Sequence, residues 1–240
     1  MTVVLLHSSG LSSRQWAFVA ARLRRRGDIV IVPDLTGHGE QPAWPEPRPF
    51  SFRDDVARIV ELIAAEREPV TLGGHSYGGL VALQAALATP KRIAALWLYD
   101  PVAFGTLDPA RDAEGIAELA AIDLDWSRGA ESWMTRFVDY WGGPGAWVAL
   151  KEPMREDFLR VAWVVQEGVR SLTHDATRAS AYRAIAAPTR LATGEHSPIA
   201  ARRVVDRLAE VLRATTTTIA GAGHMGPMTH ADEVARYFVS

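Results

Sequence analysis

Hydrophobic residues follow two alternating patterns along this chain. Short, nearly continuous apolar or β-branched runs occur at 2–6, 28–32, 69–73, 93–99, 188–193 and 215–220. Runs of that length bounded by turn residues predict strands, most of them buried on both faces. Between them lie helical stripes. Over 51–68, Val56, Ile59, Val60 and Ile63 share one face and Asp54, Asp55, Arg58 and Glu61 the other. After Pro198, Val204, Val205, Leu208, Val211 and Leu212 repeat the stripe. Strand and helix in alternation predict an α/β fold, a mainly parallel sheet of about six strands with helices on both faces. From 101 to 182 the alternation lapses into a helix-like stretch that holds Trp126, Trp133, Trp141, Trp147 and Trp163, with a turn at Gly142-Gly143-Pro144-Gly145.

Composition narrows the function classes. The 240 residues, 48% of them hydrophobic, suit one large α/β core with a modest insertion. The net charge of -2 comes from interspersed acidic and basic residues, which gives no footing for nucleic acid or an anionic membrane surface. Arg24-Arg25-Arg26 reads as the solvated end of a helix. The absence of cysteine excludes disulfides, thiolate catalysis and Cys-ligated metals. The histidines form no i, i+4 pair, and no glycine-rich segment has a dinucleotide or P-loop fingerprint, so neither a metal nor another cofactor is expected. No apolar stretch is long enough to span a bilayer, and the first residues lack the features of a signal peptide, so a cytoplasmic location is expected.

Three segments carry candidate chemistry. Gly74-His75-Ser76-Tyr77-Gly78 follows the run containing Val70 and Leu72 and precedes an apolar helical pattern, Leu80, Val81, Leu83, Ala85 and Leu87. This fits a G-x-S-x-G turn, in which small flanking residues let strand and helix approach closely enough to present the serine. A serine hydroxyl is a weak nucleophile near neutral pH and needs an adjacent base. The run 215–220 leads into Gly221-Ala222-Gly223-His224-Met225-Gly226-Pro227, which places His224 on a glycine-rich loop. At the start, Val3-Val4-Leu5-Leu6 ends in His7-Ser8-Ser9-Gly10, with Trp16 beyond and Asp34-Leu35-Thr36-Gly37-His38-Gly39 after the next run.

In this order, from Val3 to Phe238, these segments resemble the α/β-hydrolase superfamily, in its serine-nucleophile, carboxylesterase-like branch with a helical lid. The resemblance implies Ser76 as nucleophile and His224 as general base. It places His7 and His38 in structural turns and makes His75 the variable residue of the elbow. The oxyanion donors it implies are the backbone N–H groups of Tyr77 and Ser9, with Ser8 standing where relatives carry glycine. It also implies a hydrolase core at 1–100 and 183–240 with a lid at 101–182, whose tryptophans line an apolar pocket or form the lid's own core. The N-terminal antiparallel hairpin of many relatives is missing.

The third triad member departs from the commonest pattern. The segment Gly194-Glu195-His196-Ser197-Pro198 has Ser197 where relatives carry the acid. Asp100, at the end of the run 93–99, is where some members place it instead, and Glu195 is the alternative. The favoured triad is Ser76, His224 and Asp100. The activity implied is cleavage of a small-molecule ester, of small or medium acyl length, through an acyl-enzyme with water as the only co-substrate. Thioesterase, lactonase, carbon–carbon hydrolase or perhydrolase chemistry would use the same residues. Ser197 also leaves open a weakly catalytic ligand-binding protein on this scaffold. Ser76 argues against the haloalkane dehalogenases and epoxide hydrolases, which use an aspartate nucleophile.

Overall fold

A computed structural model describes residues 1–239. The six apolar runs form one sheet, β1 (Thr2–Leu6), β2 (Ile29–Ile31), β3 (Val70–His75), β4 (Ile93–Tyr99), β5 (Thr189–Gly194) and β6 (Ala214–Ile219), in the order β2-β1-β3-β4-β5-β6. Every pairing among the described residues is parallel. β3 runs on through Gly74 and His75, which pair with Leu98 and Tyr99, and so delivers the chain directly to Ser76. The edge strands β2 and β6 are the more exposed ones, while β1, β3 and β5 are buried on both faces almost throughout.

Two layers of helix close the sheet. On one face α1 (Ala17–Arg25) and α11 (Ala231–Val239) cover Val3, Leu5 and Trp97, and the Trp97 and Phe238 rings stack with centroids 6.0 Å apart. On the other, α2 (Phe52–Ala65), α3 (Tyr77–Ala88) and α9 (Ile199–Ala209) cover Val4, Leu6, Leu72 and Leu98. α3 is buried from Tyr77 to Ala86, which explains why its sequence is apolar on all sides rather than striped. Ser51 and Asp54 form a capping box that fixes the start of α2.

Between β4 and β5 the chain forms α4 (Ala113–Ala120), α5 (Ala130–Gly142), α6 (Ala146–Ala149), α7 (Glu152–Arg160) and α8 (Ala162–Thr173), and α10 (Gly226–Thr229) follows β6. Trp133 stacks on Phe137, and Trp147 meets Phe158 edge-on. Both tryptophans are buried within this helical stretch and serve its own packing. In a parallel sheet every strand ends at the same edge, and that edge is where the chain leaves β3, β4, β5 and β6 for Ser76, Asp100, Ser197 and His224. No helix among the described residues is long and apolar enough to cross a membrane.

Candidate active site

Ser76 stands between β3 and α3 with φ 55° and ψ -118°. A Cβ on Gly74 would lie 2.3 Å from the Gly78 oxygen, and one on Gly78 would lie 2.5 Å from the main-chain oxygens of Leu6 and His7. The two glycines are therefore the condition for so tight a turn. Ser76 N donates to Tyr99 O at 3.0 Å, and Ser76 O accepts from Leu80 N at 3.1 Å and Val102 N at 3.3 Å. The surroundings thus fix a backbone conformation that non-glycine residues rarely adopt.

Asp100 is the other non-glycine residue with positive φ among those described, at 43°. It is fully buried, and its Oδ2 lies 3.1 Å from His224 Nδ1. The same oxygen accepts the Ser197 hydroxyl at 2.5 Å, while Oδ1 accepts the Thr193 hydroxyl at 2.5 Å. Ser197 thus stands as a donor to a carboxylate that arrives from the neighbouring strand. Glu195 is exposed and accepts Gly221 N at 2.8 Å, so it braces the base of the His224 loop without reaching the imidazole.

With Nδ1 donating to Asp100, Nε2 of His224 is left to accept a proton. The ring stacks on Trp141 with centroids 4.0 Å apart, and its main-chain oxygen accepts from His75 Nε2 at 2.8 Å. Ser76 Oγ and His224 are not hydrogen-bonded to each other in this arrangement, a contact that often tightens only when substrate binds.

The loop after β1 is held at three points. Ser8 N donates to Gln15 Oε1 at 2.9 Å, Ser8 O accepts from His7 Nδ1 at 2.8 Å, and Gly10 N donates to His38 Nε2 at 3.0 Å. Between these anchors the amide of Ser9 has no partner among the described residues. Tyr77 is the first residue of α3, where an N–H has no intrahelical acceptor and the helix dipole favours negative charge. The Tyr77 side chain turns away, its hydroxyl donating to Asp55 Oδ2 at 2.9 Å.

His7, His38 and His75 are buried and held neutral. Burial, and secondarily His38, lowers the His7 pKa to about 3, and burial also depresses the other two. The unfolded chain therefore binds more protons than the folded one below pH 6.5, so the stability that His7 contributes is complete above 6.5 and is lost as pH falls towards 3. His7 alone should cost about 2 kcal/mol between pH 6.5 and 5, with the same sign from His38 and His75. Urea midpoints measured at pH 7, 6 and 5 should decline across that window, above the range where ordinary carboxylates titrate. A flat midpoint would mean these rings are charged in the fold.

Ser76, Tyr77 and Ser9 open onto a cavity of about 310 Å³. Its walls come from α4, α5 and α8 and the loop after β4, through Leu119, Phe137, Trp141, Val169, Leu172 and Val102. No charged side chain lines it. Its peripheral hydroxyls are engaged elsewhere, Tyr140 with Glu118 and Thr173 with Arg170 O. Of the five tryptophans between 101 and 182, Trp141 alone lines this cavity. A second cleft of about 520 Å³, between residues 10–18 and α7, holds none of Ser76, Asp100 and His224. No cluster of three or more potential metal ligands occurs among the described residues.

Thr193 and Gln15 join this site without a motif to announce them, whereas His75 lies inside the G-x-S-x-G segment and Trp141 among the tryptophans of 101–182, with no signal in the sequence for the contacts they make.

Comparison with known proteins agrees with this architecture. Residues 3–237 match the Alpha/beta hydrolase family. A putative carbamate hydrolase, RutD, from Variovorax paradoxus is 30% identical over 95% of this chain and 86% of its own length. Lipase LipV of Mycobacterium tuberculosis is 33% identical over half of this chain and 43% of its own, so the chain spans under half the length of that relative. Among solved structures, a thermophilic esterase from Thermogutta terrifontis superposes with a TM-score of 0.73 at 21% identity, over 100% of this chain and 88% of that one. With an all-parallel sheet, a strained serine between β3 and α3 and a family match over residues 3–237, the chain belongs to the α/β-hydrolase family.

Proposed function

We propose that this hydrolase cleaves carboxylic esters of neutral, medium-length acids through a covalent acyl-enzyme on Ser76. The observation that carries the reading is the buried Asp100–His224 pair together with a strained Ser76 that lines an uncharged apolar cavity, along with the unpartnered amides of Ser9 and Tyr77. Ser76 Oγ attacks the ester carbonyl and gives its proton to His224 Nε2. The carbonyl oxygen becomes an oxyanion between the N–H groups of Ser9 and Tyr77, and Asp100 stabilises the imidazolium. Collapse breaks the bond to the alkoxy oxygen, which leaves as the alcohol with the proton from His224. Water, deprotonated by the same imidazole, then releases the acid and restores Ser76. In this reading residues 1–100 and 183–240 are the core, and 101–182 form a lid whose α4, α5 and α8 enclose the acyl chain.

A cavity of about 310 Å³ has room for about ten groups the size of a water molecule. Across p-nitrophenyl esters from acetate to laurate, kcat/KM should therefore peak near hexanoate or octanoate and vanish in Ser76→Ala. A carbamate run beside them addresses the chemistry for which the Variovorax relative is named. Turnover that survives Ser76→Ala would overturn the reading by placing the chemistry on another group, and no turnover on any acyl donor would overturn it in favour of a ligand-binding role on this scaffold.

A further inference from the structure

His75 is a buried titratable group with no chemical part in that reaction, yet its two ring nitrogens reach two separate pieces of the site. Nε2 lies 2.8 Å from the main-chain oxygen of His224, and Nδ1 lies 3.0 Å from Gln15 Nε2. Gln15 Oε1 in turn accepts Ser8 N at 2.9 Å. A carbonyl only accepts, so Nε2 carries the proton, Nδ1 accepts, and the amide nitrogen of Gln15 donates. The opposite tautomer would face a lone pair towards a carbonyl and an N–H towards an NH2 group.

We propose that His75 and Gln15 are positioning residues that set the loop of His224 and the oxyanion loop 8–10 at a fixed spacing from Ser76. This rests on the serine-hydrolase reading. His75 is the last residue of β3 and immediately precedes the nucleophile, so its ring is the most direct rigid reference for both loops. Neither loop is regular structure, and the one carrying His224 contains Gly221 at φ 70° and Gly223. Fixing the Ser8 amide orients the next peptide, whose N–H is that of Ser9. Fixing the His224 carbonyl sets where its imidazole meets Asp100. One neutral ring thereby registers base and oxyanion donor to the same strand end.

The test is the rate at which a p-nitrophenyl alkylphosphonate labels Ser76, a readout that needs no natural substrate, together with kcat and KM on the best ester. His75→Gln keeps an amide N–H near the Nε2 position and loses the arm to Gln15. His75→Asn keeps an acceptor near Nδ1 and loses the arm to His224. Gln15→Met keeps volume and loses the oxyanion-loop arm. Each should slow labelling and lower kcat by about 10- to 100-fold through misplacement of the reacting groups, with KM within about twofold. Combining Gln15→Met with His75→Gln should cost no more than the larger single effect, because both break one arm. With His75→Asn the losses should multiply. Wild-type labelling rates in the variants, or equal multiplication in both pairs, would overturn the proposal while leaving the hydrolase reading intact. A wild-type protein that takes no label would overturn that reading and this proposal together. Should the His75 variants fail to fold, Gln15→Met carries the kinetic test, and 15N NMR of the wild-type ring reads the tautomer. A protonated Nδ1 at pH 7 would overturn the assignment.

Discussion

Asp100→Asn should lower kcat/KM by about 1,000- to 10,000-fold with little change in KM, whereas Glu195→Gln should change it by less than about twofold. Asparagine tolerates the positive φ of this position and keeps the shape of the side chain, while it removes the charge and turns one of the two acceptor oxygens into an NH2 donor. His224 would then lose the anion that stabilises its protonated form and fixes its tautomer. Glu195 spends its carboxylate on the Gly221 amide in solvent and does not touch the ring. Ser197 adds a sharper comparison. Its hydroxyl lies 2.5 Å from the Asp100 oxygen that meets the imidazole, so a carboxylate introduced there arrives within reach of His224. Ser197→Asp in the Asp100→Asn background should recover at least about tenfold of the lost rate, while Ser197→Asp alone should impair the enzyme by forcing two buried carboxylates to share a proton. A larger loss in Glu195→Gln than in Asp100→Asn would remove Asp100 from the triad.

The parts of this site that could be read from the chain are those fixed by local sterics. The elbow was legible because Gly74 and Gly78 are dictated by main-chain atoms 2.3 and 2.5 Å from where a Cβ would stand. The inner strands were legible because strands buried on both faces must be apolar throughout, and the edge strand β6 because its β-branched run favours extended chain. The separate role of Ser197 was not, because a hydroxyl becomes a carboxylate's donor only once β4 and β5 lie side by side, as Tyr99 pairing with Ala192 makes them. The tryptophans between 101 and 182 fail the same test. Helical periodicity says which positions share a face, but whether that face meets a cavity or another helix depends on how five helices pack. Trp141 reaches His224, while Trp133 and Trp147 fill their own layer. His75 was read as the variable residue of a motif, and its two partners come from segments 60 residues before it and 149 after it.

Ser76→Gly should abolish turnover, by about a million-fold, and at the same time give a more stable protein than Ser76→Ala. In the proposed mechanism the loss follows from removing the nucleophile. The gain follows from φ 55° and ψ -118°, a conformation that costs a residue with a Cβ about 1–3 kcal/mol and costs glycine little. Glycine also loses more backbone freedom on folding, by about 0.5–1 kcal/mol, which offsets part of that relief. The balance is a stabilisation of about 1 kcal/mol over Ser76→Ala, or about 2–4 °C in Tm for a domain of this size. Alanine is the proper reference because it removes the hydroxyl and keeps the strain. The three main-chain hydrogen bonds that hold Ser76 use backbone atoms alone and survive in both variants. If urea unfolding ranks Ser76→Gly at or below Ser76→Ala, the turn is not strained, and the placement of the serine at the cavity would have to come from the close contacts of Gly74 and Gly78 alone. If the glycine variant is the more stable, this chain gives up fold stability at the one residue whose hydroxyl must face the cavity.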